Sequence, residues 1–392
     1  MAHGPVTYRN WSARARRIAR ALDGVEALAG PFLRALAPAG DPPEIPRSIL
    51  CVRCDHLGDQ LMTTPAYAAL RAAFPAARID VLAAPWGRAA LEGNPHVDAV
   101  RPGVAPWYDP RHSGLAGIGR AAAIGRTLRR APYDWGFDFR GDPRVLLFYL
   151  LPAARRRFGF SGLGLADLLT DALPYARGRA PLDQALDLAA LAGAGAPTRT
   201  PVFVPGTAAR ERGAAALRRA EVPAGAPFAL VAPGSNRASA RWPAERFAAV
   251  ARGLAAAGLR VGLTGSPAEA PLLGEVGRLA GDGLADLASG VDFATLGALL
   301  TEASVLVAND SAPAHLAVAV SCPVVAVFGP SDPALTFPYG DQGRSIALSG
   351  PSDHPRPCWD ARCASDHGFA SVSAEQVTAA AIRVARPRAV PA

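Results

Sequence analysis

Asp59 lies in the run DHLGDQLMTTP, directly after the apolar SILCVR. A carboxylate between the end of a strand and the start of a helix has two uses. The helix dipole stabilises it as a cap, or it projects outward as a general base within hydrogen-bond reach of a substrate hydroxyl. Spacing alone leaves both open. The same stretch offers Gly58 for a tight turn, His56 as a loop residue, and Cys51 and Cys54 as a CxxC pair. No second CxxC completes a four-ligand zinc site, and a thioredoxin-type pair stands at a helix N-terminus rather than in an apolar strand. The two thiols therefore read as strand and turn filling.

Two further runs carry anion chemistry. In VLVANDSAPAHLA an apolar strand ends in Asn309, Asp310 and Ser311, with Pro313 in the first turn of the next helix. The unsatisfied amides and dipole of such a helix start suit a diphosphate, although Asp310 or Ser311 can equally serve as a cap. His315 either faces that ligand or packs inward. In VAPGSNRASARWPAERF the order is strand, glycine turn, polar loop and a helix opened by Pro243. Its donors are Ser235, Asn236, Arg237 and Arg241, and arginine grips a phosphate with two parallel hydrogen bonds. Glu269, after LTGSPA, can accept from a ribose diol or stand as an ordinary surface glutamate. Cys358 and Cys363, in PCWDARC, can pair or bind a metal, with a plain loop role expected.

These runs need a scaffold, and the chain has length for two. Its 392 residues exceed one ordinary core and suit two domains of roughly 150–200 residues. SILCVR, ARIDVLAA and WGFDFR read as strands, with helices over about 59–73, over WGRAALEG and over PRVLLFYLLPA. After the Pro-rich 196–206 the pattern restarts with FALVAPGS, RVGLTGS, ASVLVAND and PVVAVFGPS as strands and SAEQVTAAAIRVAR as a closing helix. Near-continuous apolar strands alternating with amphipathic helices imply parallel sheets covered on both faces. Ligands of such sheets bind beyond the carboxyl ends of the strands, and two facing units make an interdomain cleft. The expected division is 1–45 as a helical extension with a Pro-rich connector, 46–200 and 201–375 as Rossmann-like domains, and 376–392 as a helix and tail.

The formal charge is +8, and all 41 basic residues are arginine. A GC-rich coding bias accounts for that usage together with the abundant Ala, Gly and Pro. The functional reading is an anionic partner, and phosphorylated small molecules or lipids fit better than nucleic acid, for which no module signature is present. Residues 9–36 place Trp11, Ile18, Leu22, Val25 and Phe32 on one helical face, flanked by Arg14, Arg16, Arg17 and Arg20. That helix either lies on an anionic membrane surface or packs on the protein body. Apolar runs short of about 20 residues predict no transmembrane helix. The absence of a signal-like N-terminus and of a disulfide framework predicts a cytoplasmic protein.

Over about residues 48–385 the sequence resembles glycosyltransferase family 9, the ADP-heptose:lipopolysaccharide heptosyltransferases and their relatives. The likeness is carried by RCDHLGDQLMTTPAYAALRAAFPAARIDVL, RGDPRVLLFYLLPAARRRFGF, PGSNRASARWPAERFAAVA and NDSAPAHLAVAVSCPVVAVFGPSDP. It implies a GT-B fold, acceptor on the first domain, nucleotide sugar on the second, and inverting transfer without a metal or other cofactor. Asp59 matches the family's general base. Asp310, Ser311 and Ala312, with His315 following, match its diphosphate loop, and Glu269 its ribose acid. Acceptor-side candidates are Arg53, Gly58, Thr63, Arg140 and Arg144, with Arg155, Arg156 and Arg157 as further phosphate contacts, although Arg140, Arg144 and this run can equally form a solvated face. The implied partners are ADP-heptose and a phosphorylated glycolipid, met in the cytoplasm or at the inner face of its membrane. Two positions depart from the family. Ala240 stands where it usually has Lys, leaving Arg237 or Arg241 to supply the charge, and Ala312 replaces a Gly. A nucleotide-sugar 2-epimerase and a non-catalytic sugar-nucleotide or glycan binder are the competing readings.

Overall fold

The structure is a computed structural model that describes residues 21, 24, 28–106, 114–176, 178–282, 284–337, 343–358, 360, 363 and 365–386. Trp11, Ile18, Leu22, Val25 and the four arginines of the expected amphipathic helix lie outside the described residues. Residues 28–34 are helical, with Leu28 and Phe32 exposed. No helix among the described residues is long and apolar enough to cross a membrane. The chain forms two compact units, Met1–Arg199 and Thr200–Ala392.

In the first unit, β1 (Ser48–Arg53), α1 (Leu57–Ala73), β2 (Arg78–Ala83), β3 (Ala99–Pro102), α2 (Gly114–Arg129) and β4 (Tyr133–Asp138) follow one another. A helix over 143–153 then leads to β5 (Ala154–Ser161), β6 (Asp171–Pro174) and α3 (Pro181–Leu191). The sheet order is β3-β2-β1-β4-β5-β6, and every pairing is parallel. Alternate residues of β1 feed opposite faces, as the two-residue period of a strand demands. Ile49 and Cys51 pack with Tyr67, Leu70 and Leu188 under α1 and α3. Leu50, Val52 and Cys54 pack with Leu146, Tyr149 and Leu150 on the other side. Cys51 and Cys54 are thus buried in separate cores, where burial pushes both thiols well up. WGRAALEG contributes only a short 3-10 helix, Gly87–Ala90.

The arginine run at 155–157 is part of a strand. Arg156 lies over the rings of Trp135 and Phe158 at 5.0 and 4.9 Å and makes a bidentate pair with Asp171. Arg157 is buried and donates to the carbonyls of Leu168, Ala154 and Arg155. These two side chains are committed to holding β5 in the sheet, which corrects their reading as phosphate contacts. Arg155 pairs with Asp134 and donates to the carbonyl of Ala39.

The second unit runs α4 (Thr207–Arg219), β7 (Phe228–Ala232), α5 (Ala244–Ala256), β8 (Arg260–Gly265), α6 (Ala270–Ala280) and β9 (Leu284–Ser289). It continues with α7 (Phe293–Glu302), β10 (Val305–Asn309), α8 (Ala312–Ala319), β11 (Val324–Phe328), β12 (Ser345–Ser349) and α9 (Ala374–Val384). Its sheet order, β12-β11-β10-β7-β8-β9, is that of the first unit when strands are counted from each unit's own first. Both are doubly wound Rossmann-like sheets. In each, the winding direction reverses between the first and fourth strands, β1/β4 and β7/β10, and a crevice outside the strand ends opens at such a point.

Candidate functional site

The reversal point of the first unit gathers four charged groups. Arg53 ends β1 and is 4% exposed, so its guanidinium must be paired. Its Nε donates to Asp55 Oδ1 at 2.8 Å, a terminal nitrogen donates to the carbonyl of Phe139, and the other lies 3.3 Å from Asp59 Oδ1. Arg140, beyond β4, pairs with the second oxygen of Asp55. Burial pushes the Asp55 carboxyl up, but Arg53 and Arg140 outweigh it and hold it below its ordinary value. Burial likewise lowers the Arg53 guanidinium, and Asp55 and Asp59 reverse that shift.

Asp59 sits in the first turn of α1, where His56 occupies the cap position without a side-chain cap bond. Asp59 is therefore turned toward Arg53 rather than committed as the cap, and its side chain is 22% exposed. Thr63 bonds back to the carbonyl of Asp59 at 2.8 Å. Gly58 is buried within the helix and has no positive φ, so the tight turn expected of it is absent. Arg144 is held bidentately by Asp142, which caps the helix after β4. Arg140 and Arg144 remain about one-third exposed in their side chains.

Asp138, which ends β4, was not anticipated. Its carboxylate accepts from the amides of Arg140, Gly141 and Asp142 at 2.8–3.0 Å, wrapping the loop round it. Burial, reinforced by the charge of Asp142, pushes its carboxyl up to about 7 against the pull of those amides. The sequence signal is DFRGD, whose Gly141 has φ +75° and makes the wrap possible.

At the reversal point of the second unit the expected donor-side residues converge on the loops after β7, β8 and β10. Asn309 is wholly buried and stitches them: its Oδ1 accepts from the amide of Trp242, and its Nδ2 donates to the carbonyl of Pro233. Arg241 donates to the carbonyl of Ser235 at 2.9 Å, and Arg237 to that of Cys358 at 2.7 Å. Glu269 bonds the amide and hydroxyl of Ser266 and lies against Gly234, where an added Cβ would come within 1.9 Å of its carboxylate. Only glycine leaves that carboxylate room beside the loop. Ser311 caps α8 in position but turns its hydroxyl to the carbonyl of Asn309, and Ala312 and Pro313 open the helix. His315 is buried, its Nε2 3.7 Å from Asp310 Oδ1. Asn236 lies in the bend after β7, and Ala240 is buried. At the helix start itself Pro313 has no N–H, and the amides of Ala314 and His315 already bond the carbonyl of Ser311. The charge available to a diphosphate on these loops therefore comes from the Arg237 and Arg241 guanidinium groups, with the Ala312 amide and the helix dipole beside it.

Cys358 and Cys363 do not stand alone. His354 and His367 join them, with one ligand atom from each of the four all within 4.8 Å of one another. The spacing H-x3-C-x4-C-x3-H carries this signal in the sequence, with the two histidines flanking the thiols.

A sequence profile described as "Glycosyltransferase family 9 (heptosyltransferase)" matches residues 121–367. The lipopolysaccharide heptosyltransferase 2 of Salmonella typhimurium is 28% identical over 312 residues, spanning 76% of this chain and 88% of that protein. Among solved structures, a glycosyl transferase family 9 protein from Veillonella parvula superposes with a TM-score of 0.73 at 21% identity, covering 88% of this chain and 99% of that one. The E. coli ADP-heptose lps heptosyltransferase II superposes with a TM-score of 0.69 at 20% identity, covering 86% and 98%.

Proposed function

The chain belongs to glycosyltransferase family 9, and on that premise we propose that it transfers heptose from ADP-heptose to a phosphorylated lipopolysaccharide-core acceptor, with inversion. The observation that carries the reading is the pair of charged constellations, each at the reversal point of its own sheet. One presents a carboxylate, and the other presents donors for an anion.

In this account Asp59 is the general base. The acceptor hydroxyl passes its proton to the Asp59 carboxylate as its oxygen bonds to the anomeric carbon. The bond from that carbon to the diphosphate breaks, and its electron pair leaves on the phosphate oxygen. Arg53, fixed by Asp55 and by the carbonyl of Phe139, sets where the base points. Arg237 or Arg241 and the Ala312 amide at the start of α8 meet the departing ADP, and Glu269 the ribose. Ser235, Asn236, Asp310 and His315 complete the donor side. Arg140 and Arg144, partly exposed, meet acceptor phosphates, while Gly58 and Thr63, in the same helix as Asp59, pack beside the base. Holding two substrates for one displacement contributes about 7–11 kcal/mol in favourable cases. Charge stabilisation of the leaving group adds to it. The work is placed in the cytoplasm, where the acceptor lipid meets the enzyme at the inner membrane face.

A thermal-shift screen with ADP-, GDP- and UDP-sugars tests the donor. Stabilisation by ADP-heptose is expected, and stabilisation by a UDP-sugar alone rejects the heptose assignment. An epimerase would convert its donor without acceptor, so donor unchanged in the absence of acceptor is the second expected result.

A further inference from the structure

We propose that His354, Cys358, Cys363 and His367 bind one divalent transition-metal ion of the zinc class in a tetrahedral N2S2 site. The first observation is geometric: one ligand atom from each residue lies within 4.8 Å of the other three. Tetrahedral zinc holds its ligand atoms roughly 3.3–3.8 Å apart, given bonds of about 2.0–2.3 Å. The Sγ of Cys363 already stands 3.5 Å from Nε2 of His354. Closing the rest requires side-chain shifts of about 1 Å at most.

The second observation points to a ligand directly. His367 is fully buried, and neither ring nitrogen has a hydrogen-bond partner among the described residues. A buried polar group left so keeps the full penalty of its desolvation, and a metal bond supplies the missing partner. His367 also adopts φ 51°, a left-handed backbone that a side chain rarely takes. The third observation concerns the tautomer. Nδ1 of His354 lies 3.2 Å from the carbonyl of Pro355. Donation there puts the proton on Nδ1 and leaves the lone pair on Nε2, the nitrogen facing Cys363. Such an outer hydrogen bond is the usual orienting device of a metal-bound histidine. A disulfide between the two cysteines would leave both imidazoles without a role, whereas one ion engages all four groups. Borderline-soft nitrogen and thiolate ligands in four-coordination select zinc over harder cations.

Binding releases one proton from each thiol, so the ion and two thiolates form a neutral centre. The loop around it is braced independently. Arg356 donates to the carbonyls of Gly329, Gly350 and His367, and the amide of Cys358 donates to that of Pro330 at 2.8 Å. The ion therefore staples this loop beyond the end of β11. It thereby fixes the Cys358 carbonyl that Arg237 grips, and this last step rests on the donor-side role proposed for Arg237.

The test is metal analysis of the full chain, purified without added chelator and exhaustively desalted. About one zinc-class ion per chain is expected, and cobalt exchange should give the visible spectrum of a tetrahedral thiolate complex. Cys363→Ser, at a half-buried position, and the double variant Cys358→Ser/His367→Gln should lose the ion. Chelator treatment of the wild-type chain should lower its melting temperature, with recovery on adding Zn(II), and this arm needs no variant to fold. Trace metal after Zn(II) supplementation, full stoichiometry in the double variant, or a Cys358–Cys363 disulfide in freshly prepared protein would each overturn the site. Calorimetry with ADP tests the coupling: affinity about tenfold weaker after chelation is expected, and unchanged affinity rejects the staple's link to Arg237. If ADP binds neither form, the donor reading fails while the metal count still stands.

Discussion

Replacing Asp55 by Asn probes the buried network that aims the proposed base. Asp55 is 3% exposed and bonds Arg53 through one oxygen and Arg140 through the other. Removing one member of a buried ion pair costs about 3–5 kcal/mol, because the remaining charge is stranded. Three features of the site moderate that figure. The amide oxygen of Asn still accepts from Arg53, Arg53 keeps Asp59 at 3.3 Å, and the one-third-exposed Arg140 contributes at most about 1 kcal/mol as a solvated pair. A loss of about 3 kcal/mol from the first unit at pH 7 is expected, read by urea unfolding. The folded carboxyl of Asp55 lies below its ordinary value of 3.8, so its stabilisation is present above that pH and fades as pH falls through the folded value. The gap between wild type and Asp55→Asn should accordingly narrow at pH 3 and below. With its other carboxylate gone, Arg53 pairs Asp59 more tightly, so kcat should fall while the KM for ADP-heptose holds. A loss under about 1 kcal/mol at pH 7, or a gap unchanged at pH 3, would refute the reasoning.

Other perturbations follow from the same contacts. Asn309→Leu leaves the Trp242 amide and the Pro233 carbonyl without their buried partner. It should destabilise the second unit by about 3 kcal/mol and weaken ADP binding at least about tenfold, read by urea unfolding and calorimetry. Asp138, raised to about 7, contributes stability that is fully present below about 4 and lost as pH climbs through 7. Asp138→Asn removes that dependence. The wild-type advantage should therefore shrink between pH 5 and 8 by on the order of a few kcal/mol, and parallel stability curves for the two proteins would show that Asp138 is ionised throughout. Gly234→Ala drives a Cβ into the Glu269 carboxylate, so the KM for the donor should rise while that for the acceptor stays within error.

The strands that carry the candidate site were legible because parallel strands buried on both faces read as apolar runs. SILCVR, WGFDFR, FALVA and VLVAN all occupy central positions of their sheets. ARRRFGFS was illegible as a strand for the opposite reason. Three consecutive arginines mask it, yet the Arg156 guanidinium lies over the rings of Trp135 and Phe158, and the three head groups find Asp134, Asp171 and backbone carbonyls. Asp59, Arg237, Arg241 and Ser311 were readable from their places after strand ends. Asp55, Asp138 and Asn309 were not assigned roles, since their work is to hold loops from distant parts of the chain together. His367 escaped notice because its lack of any partner exists only once the loop is folded.

The most direct test of the central claim is Asp59→Asn, assayed for heptose transfer and for ADP binding on the same preparation. Asn keeps the shape of the side chain and loses the base, so transfer should fall by about 10²–10⁴-fold. ADP affinity should stay at the wild-type value, because the proposed donor residues all lie in the second unit. Transfer within about tenfold of wild type would contradict Asp59 as the base, and with it the proposed division of labour between the two sheets.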